Sequence, residues 1–397
     1  MQFLAAKQVS VKSNKRKKDP TPDLDLMIPL LIGIWRRFHK EAGPPDQLQT
    51  REFRRVVGSI RALMEGLQPD GELIGTDYFK EPSLLTSYLL YQWIIHYLQG
   101  MSLLGELPRP PRRVLDLCSG PAPFAFAALK HGAQEVVAID QNEAALRLGA
   151  EACGRSGYPL TVRTSNCLKE RLPVEGTFDL IILGHCLEEL FPASSAGWIE
   201  RQQQFIEQLF KRLSPDGFLL IVENSQLETN RRILRLRDAC VEKGVPIQAP
   251  CVWRGACPAL RTKDSPCYAQ RECENPFFIK EIQRALKINL SSLKMSYLIF
   301  RHPEAEWPVL PKEPLYRVVS PPIETYHGNR FYLCGTDGKK TLGSHLQEPS
   351  KAFKFLKRGE LISVTGGLEQ EHSIDLVSGA VLSIEAACGK PLPEVLK

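Results

Sequence analysis

The stretch that decides the fold is Val114-Leu-Asp-Leu-Cys-Ser-Gly-Pro-Ala-Pro123. Its first four residues form an apolar run around one acid, which is typical of a short buried strand, and the glycine and prolines after it break the strand. Residues 124–130 then predict a helix. A tight turn between strand and helix directs backbone N–H groups toward a ligand, and Gly120 allows that ligand to approach closely.

The alternation of strand and helix continues on both sides of this stretch. Strands that alternate with helices of ordinary length indicate a parallel, doubly wound α/β sheet. Helices are predicted before the core, and short β segments after it. The predicted elements are helices at 28–38, 53–67, 84–103, 143–153, 198–213 and 276–288, core strands at 136–140, 161–164, 178–183, 218–222 and 296–300, and later strands at 316–320, 330–334, 361–365 and 374–384.

Polar residues follow the ends of the predicted core strands. Asp140 ends the second strand, about 20 residues beyond the turn, where a carboxylate accepts hydrogen bonds from a ribose diol. Because the carboxyl ends of neighbouring parallel strands meet at one edge of a sheet, we expect one nucleotide-type site there. The candidate residues are Asp116, Cys118, Gly120, Pro121, Asp140, Gln141, Asn166, Cys167, Gly184 and His185.

This core resembles the class I S-adenosylmethionine methyltransferases more than a dinucleotide-binding fold. The resemblance covers roughly residues 112–224 and rests also on Phe178-Asp179, the run 184–190 and the turn 213–217. It implies that S-adenosylmethionine is the cofactor and that Asn166-Cys167 contact its adenine.

Two departures from the resemblance concern binding and catalysis. Cys118 and Ala122 stand where the family usually has glycine, which is expected to weaken donor binding. The Asn/Asp-Pro-Pro-aromatic motif of amino-methylating enzymes is absent after the fourth strand. His185, Cys186 and Glu223-Asn224 are candidates near this point, but the first two also fit an ordinary loop histidine and a buried thiol at a helix start. The sequence therefore assigns no catalytic residue.

Four cysteines lie downstream of the nucleotide-type pattern, at Cys251, Cys257, Cys267 and Cys334. The chain has eleven cysteines, an odd number that argues for a reducing compartment, where dense thiols usually bind metal. Zinc favours short Cys-x2–4-Cys knuckles, which these four lack, whereas four spread thiolates suit a [4Fe–4S] cluster. Cys273 is an alternative ligand, and an unligated thiol remains an alternative for Cys334.

The chain as a whole is similar to the methyltransferase-like assembly factors of the mitochondrial small ribosomal subunit and their bacterial relatives. The similarity covers roughly residues 80–365 and rests on the Cys-x5-Cys-Pro loop at 251–258, the run 316–322, Phe331-Tyr-Leu-Cys334 and Gly359-Glu-Leu. The family often has Pro-His after the first cysteine, where this chain has Val252-Trp253.

This resemblance implies S-adenosylmethionine and a [4Fe–4S] cluster as cofactors, with Cys251, Cys257, Cys267 and Cys334 as ligands. It implies small-subunit rRNA and ribosomal proteins as partners. An rRNA methyltransferase and a non-catalytic assembly factor both remain open. A radical methionine-donor enzyme ranks last, because its Cys-x3-Cys-x2-Cys spacing is missing.

Charge and composition complete the prediction. The formal net charge is +6, and the basic run Arg231–Arg237 could contact phosphates or form a solvated helix face. No apolar run reaches the roughly 18–20 residues of a membrane span. We expect no secretory signal, because the first residues lack an apolar core followed by a cleavage site. We expect a monomer when free, in a bacterial-type cytoplasm or, alternatively, the mitochondrial matrix.

The predicted domains are a basic disordered tail at 1–22, a helical region at 23–107, a core at 108–302 with a cysteine loop at 246–275, and a small β-domain at 303–397.

Overall fold

The computed structural model describes residues 24–68, 71–74, 76–288 and 291–394. The predicted basic tail at 1–22 lies outside the described residues. The described chain folds into an N-terminal helical region, an α/β core and a second β-sheet.

The N-terminal region is helical, as predicted, but the third predicted helix is wrong in one respect. Residues 84–103 were expected to form one helix, and the structure has two that meet at Tyr91, whose φ of −135° is not helical. Tyr91 is buried, so the break places an aromatic ring in the core. The helices are α1 (Leu24–His39), α2 (Thr50–Gly66), α3 (Pro82–Leu90) and α4 (Gln92–Leu104), with a 3₁₀ turn at Tyr78–Lys80.

The core alternates strands and helices as the sequence predicts, with small shifts of the element ends. The strands are β1 (Arg113–Leu117), β2 (Glu135–Asp140), β3 (Thr161–Thr164), β4 (Phe178–Gly184), β5 (Leu213–Glu223), β6 (Ile247–Ala249), β7 (Ala269–Glu272) and β8 (Ser292–Arg301). The helices are α5 (Pro123–Lys130), α6 (Glu143–Arg155), α7 (Leu187–Leu190), α8 (Trp198–Phe210), α9 (Leu227–Glu242) and α10 (Phe277–Leu286), with a 3₁₀ turn at Pro258–Arg261.

The strand order distinguishes this sheet from a dinucleotide-binding sheet. It runs β3-β2-β1-β4-β5-β8-β6, and β7 also pairs with β8. The first five strands are parallel, whereas β8 is antiparallel to β5. A dinucleotide fold has the order 3-2-1-4-5-6 in a mostly parallel sheet. The reversed β8 beside β5 therefore departs from the dinucleotide fold.

Alternate residues of each central strand pack on opposite faces of the sheet, which gives the core two apolar layers. Val114 and Ile182 pack with the N-terminal helices, α5 and α6. Leu115 and Ile181 pack with α8 and α9. Because successive side chains of a strand point to opposite faces, a strand covered on both sides is apolar throughout. This arrangement leaves the carboxyl ends of the strands free to form a site.

The C-terminal sheet contains eight strands in the order β14-β15-β12-β11-β9-β13-β16, with β10 paired to β11. Asp337-Gly338 forms the turn of a hairpin between β11 and β12. The predicted segment 374–384 is wrong as a single strand, because Gly379, with φ +86°, turns the chain between two strands. The elements are β9 (Tyr316–Val318), β10 (Ile323–Thr325), β11 (Gly328–Gly335), β12 (Gly338–Ser344), α11 (Lys351–Lys354), β13 (Leu361–Thr365), β14 (Leu368–Glu369), β15 (Ser373–Leu376) and β16 (Val381–Ala386).

A buried ion pair joins the end of the helical region to the core. Glu106 and Arg271 form a salt bridge in which both side chains are almost completely buried. The hydroxyl of Tyr297 donates to the second oxygen of Glu106 at 2.6 Å. A buried charge that loses its partner keeps its desolvation penalty without compensation.

We therefore expect Glu106→Gln to lower the free energy of unfolding by about 3–5 kcal/mol, because Arg271 would stay buried and unpaired. Chemical denaturation would measure this change. The control is Glu281→Gln, which breaks an exposed ion pair with Arg284 and should cost less than about 1 kcal/mol. Equal effects of the two substitutions would show that the buried pair has no special role in stability.

Candidate functional site

A cavity of about 280 Å³ lies at the carboxyl ends of β1 to β4, the edge where parallel α/β sheets bind ligands. We call it the donor pocket. Nine of the ten candidate residues line it: Asp116, Cys118, Gly120, Asp140, Gln141, Asn166, Cys167, Gly184 and His185. Pro121 does not, and its carbonyl oxygen instead accepts a hydrogen bond from Nε1 of Trp93 at 2.7 Å.

The turn between β1 and α5 keeps a glycine-like backbone despite its substitutions. Cys118, Gly120 and Ala122 have φ values of +54°, +52° and +58°. The left-handed region costs a non-glycine residue about 1–2 kcal/mol, and the fold imposes it here twice. A Cβ at Gly120 would also come within 3.0 Å of the ring of Phe79. The loop therefore keeps a left-handed backbone at Cys118 and Ala122, the two positions where the family usually has glycine.

Asp140 ties this turn to the end of β2. One carboxylate oxygen accepts from the backbone N–H of Gly120 and the other from that of Asn142, both at 2.8 Å. Burial raises the pKa of Asp140, and these two N–H groups act in the opposite direction. The N–H of Gln141 is a third backbone donor to this carboxylate. Because a carboxylate can accept about four hydrogen bonds, acceptor capacity is left for one more donor. The geometry suits a second role as an acceptor for a ligand hydroxyl.

Two buried polar atoms in the turn have no hydrogen-bond partner, Oδ1 of Asp116 and Oγ of Ser119. The other oxygen of Asp116 accepts from the N–H of Ala125 at 2.9 Å. Burial raises the pKa of Asp116 to about 8. Buried polar groups are normally hydrogen-bonded, so orphaned atoms that line a cavity suggest a polar ligand.

On the side of the pocket next to β4, the lining residue His185 stacks on His96, which lies behind it and does not line the pocket. The rings of His96 and His185 are 4.0 Å apart, and Nε2 of His185 lies 2.8 Å from Oε1 of Gln99. Burial lowers the pKa of His185 to about 4, so the ring is neutral at pH 7. Cys186 is buried at the start of α7, and Glu223 accepts from the N–H of Leu187 at 2.7 Å. Cys186 also lines the pocket, whereas Glu223 anchors the start of α7.

A second cavity, of about 50 Å³, brings the four predicted metal-binding cysteines together. We call it the cysteine cavity. Cys251, Cys257 and Cys267 come from the loop between β6 and β7, and Cys334 comes from β11. Burial raises the pKa of Cys257 to about 11 and that of Cys267 to about 12. Cys273 does not line the cavity, and its thiol lies 3.4 Å from Oδ1 of Asn275.

Side chains of α9 hold the cysteine loop in place. Asn230 accepts from the N–H of Cys267 and donates to its carbonyl oxygen, both at 2.9 Å. Asp238 accepts from the N–H of Cys257 at 3.0 Å. In the part of the chain that the structure describes, no group of three or more His, Cys, Asp or Glu side chains is arranged to hold a metal ion.

Buried cations also line the cysteine cavity, namely Arg237, Arg271 and Arg317. Arg237 donates to the carbonyl oxygens of Trp253 and Gly255, and its Nε has no partner. Thiols and guanidinium groups thus share one cavity, although Arg271 is paired with Glu106 and Arg237 with Asp238.

The prediction that the basic run Arg231–Arg237 contacts phosphates needs correction. Arg237 is fully buried beside the cysteine loop. Arg232 pairs with Glu188 and lies over the ring of Trp198. These side chains lie on the inner face of α9, where they support loops. Of the four arginines, only Arg235 is exposed.

Comparison with known proteins identifies the family. The family model described as "Mitochondrial small ribosomal subunit Rsm22" matches residues 107–347, more than half of the chain. The chain belongs to the Rsm22 family. The matched range contains the donor pocket's strand ends and all four cysteines of the cysteine cavity.

Curated relatives of this Rsm22-family chain include ribosomal protein L11 methyltransferases. The protein from Thermotoga petrophila is 39% identical over 69 residues, which cover 17% of this chain and 25% of the relative. That from Citrifermentans bemidjiense is 30% identical over 117 residues, which cover 30% and 33%. The chain thus spans about a quarter to a third of the length of these relatives.

Solved structures of methyltransferases are also similar. Ribosomal protein L11 methylase from Lactobacillus delbrueckii subsp. bulgaricus is 22% identical, with 40% of this chain and 71% of that chain covered and a TM-score of 0.30. The N-methyltransferase NodS from Bradyrhizobium japonicum, in complex with S-adenosyl-L-homocysteine, is 15% identical, with 62% and 99% covered and a TM-score of 0.33. No described helix of the Rsm22-family chain has the length and apolar character needed to cross a membrane.

Sequence reasoning missed the contribution of the N-terminal region to the donor pocket. Tyr78, Phe79 and Tyr88 line it although they precede the core by many residues. It also missed Glu189, which follows β4 closely. Glu189 could have been predicted from the sequence, because it is a polar residue shortly after a predicted strand. Tyr78 and Tyr88 follow no predicted core strand, so the sequence gives no such indication for them.

Proposed function

We propose that this chain binds S-adenosylmethionine in the donor pocket and a [4Fe–4S] cluster in the cysteine cavity, and acts on small-subunit rRNA during ribosome assembly. The proposal rests on one family match, whose description names the small ribosomal subunit. The matched residues include the strand ends of the donor pocket and the four cysteines of the cysteine cavity. Ribosomal proteins are the accompanying partners. The family description favours the mitochondrial matrix over a bacterial cytoplasm.

Support for the methyl donor comes from the polar groups that the donor pocket leaves available. Asp140 has acceptor capacity left for a ribose hydroxyl. Asp116 and Ser119 each present a buried, unpartnered oxygen, which suits the polar amino-acid end of the donor. When bound, S-adenosylmethionine supplies an electrophilic methyl group. The chain's own residues bind the donor, fix its orientation and, through Tyr78 and Phe79, limit access of water.

Support for the cluster comes from the chemistry of the cysteine cavity. A [4Fe–4S] cluster is held by four thiolates, each on a different iron, so its ligands surround a wide group and do not meet at a single ion. Four thiols that line one cavity suit that requirement. Arg237 and Arg317 are buried there and would offset the negative charge of the thiolates. The raised pKa values of Cys257 and Cys267 mean that binding would release protons at pH 7.

The cluster would also connect two parts of the fold. Three cysteines belong to the core loop and Cys334 belongs to β11 of the C-terminal sheet. Since the free energy of metal binding is partly free energy of folding, the cluster would stabilise the contact between the two.

A second candidate function is a non-catalytic assembly factor with the same cofactors. The residues after β4 favour it, because they contain no amino-methylation motif. His185 is neutral and hydrogen-bonded to Gln99, and Cys186 is buried. In this case the donor would stabilise the fold, and the rRNA would be bound without modification.

Incubation of the purified protein with small-subunit rRNA precursors and donor labelled in the methyl group tests the proposal. We expect the protein to bind the donor and crosslink to the rRNA, and we expect label in the RNA if the first function holds. Donor binding and crosslinking without labelled RNA would support the second function. Failure to bind either donor or rRNA would contradict both.

A further inference from the structure

Glu189 contributes a carboxyl group to the donor pocket in addition to those of Asp116 and Asp140. It lies on α7, directly after β4, and lines the pocket. The hydroxyl of Tyr78, from the N-terminal region, donates to Oε1 of Glu189 at 3.2 Å. This bond joins two segments that are far apart in sequence and fixes the carboxyl against the pocket wall.

The strand order separates Glu189 from the nucleoside side of the pocket. Asp140 ends β2, and Glu189 follows β4. Since β1 lies between these strands, the two strand ends are two strand spacings apart, about 10 Å. Tyr88 and Phe124 line the pocket as well. The far side of the donor pocket thus offers aromatic rings and one carboxyl group.

Glu189 has no cationic partner among the side chains that the structure describes. Its charged neighbours are the acids Asp140 and Glu188, and burial, the largest influence, raises its pKa to about 8. Glu188, next to it in sequence, differs in each respect. It pairs with Arg232 and accepts from the hydroxyl of Thr229 at 2.8 Å, and it does not line the pocket.

We infer that Glu189, positioned by Tyr78, binds an amino group at the end of the donor pocket where the methyl group would be transferred. With a pKa raised to about 8, the carboxyl is mostly protonated in the empty pocket near pH 7. An ammonium group placed beside it would favour its charged form and form a charge-assisted hydrogen bond with it. With rRNA as the proposed substrate, the acceptor class is an amino nitrogen of a nucleobase. This inference rests on the proposed donor binding and on the proposed rRNA substrate.

Binding measurements with two donor analogues test this role without any need for turnover. S-adenosylhomocysteine has a neutral thioether at the relevant position, whereas sinefungin carries a primary amine there, which is protonated at neutral pH. We expect the unmodified protein to bind sinefungin roughly tenfold or more tightly than S-adenosylhomocysteine, as a charged hydrogen bond would provide. Isothermal titration calorimetry on the full chain measures both affinities.

Three variants test whether Glu189 causes the preference for sinefungin over S-adenosylhomocysteine. Glu189→Gln should abolish it while changing the affinity for S-adenosylhomocysteine by less than about twofold, since Gln keeps the shape but loses the charge. Tyr78→Phe should reduce it, because the carboxyl loses its positioning bond. Glu188→Gln is the matched control and should leave the preference intact.

Equal affinities for the two analogues in the unmodified protein, or a preference that survives in Glu189→Gln, would overturn the inference and leave donor binding in place. Binding of neither analogue would instead overturn donor binding itself, and the inference with it. The two failures are therefore distinguishable in one set of titrations.

Discussion

Replacing Cys257 by serine is expected to remove most of the iron from the protein and to loosen the C-terminal sheet from the core. Cys257 lines the cysteine cavity and is buried. A serine hydroxyl is a poor cluster ligand, and loss of one of four ligands removes binding energy that also stabilises the fold. Iron analysis and limited proteolysis of the anaerobically purified variant measure the two effects.

Two matched substitutions control for the loss of a buried thiol. Cys153 is fully buried in the α/β core, away from the cavity. Cys273 is near the cavity in sequence, but its thiol contacts Asn275 instead. Serine at either position should leave the iron content unchanged. Full iron in Cys257→Ser would remove this residue from the ligand set, and loss of iron in Cys273→Ser would restore the alternative that the sequence left open.

The second large effect is expected at Asp140. Asp140→Asn keeps one oxygen that can accept from the N–H of Gly120, whereas the N–H of Asn142 loses its acceptor. The amide, however, places an NH₂ group where a ligand hydroxyl would donate. Losing a hydrogen bond to a charged group costs about 1.5–3 kcal/mol, so donor affinity should fall roughly 10- to 100-fold.

Calorimetric titration with S-adenosylmethionine measures this loss. Glu135→Gln is the control, because Glu135 begins the same strand and its exposed side chain pairs with Arg113, at the end away from the pocket. That variant should bind the donor normally. Unchanged affinity in Asp140→Asn would mean that the donor, if bound, does not use the end of β2.

The donor pocket could be predicted in large part because its residues follow strand ends. Strands such as 136–140 are recognisable as apolar runs, and topology brings the residues after them to one edge. Asp116 and Asp140 are found in this way. A single sequence is therefore sufficient to place a residue at the ligand-binding edge of the sheet when that residue lies at or after the end of a recognisable strand.

Other parts of the site depend on tertiary packing, which local patterns do not encode. Tyr78 reaches the pocket because the N-terminal helices pack on one face of the sheet. Arg237 belongs to a basic run that resembles a phosphate-binding face, yet α9 turns it inward to the carbonyl oxygens of the cysteine loop. Charge alone cannot tell these cases apart, because the direction of a helical side chain depends on which face is buried.

A chain that joins a methyl-donor pocket to an iron–sulfur cluster should contain iron and sulfide when it is purified anaerobically. Iron and acid-labile sulfide analysis, together with the visible spectrum, measures both. We expect about four iron and four sulfide per chain with broad visible absorption, as four thiolates on one cluster require. Stoichiometric zinc, or the absence of metal in protein that is folded and binds the donor, would contradict this expectation.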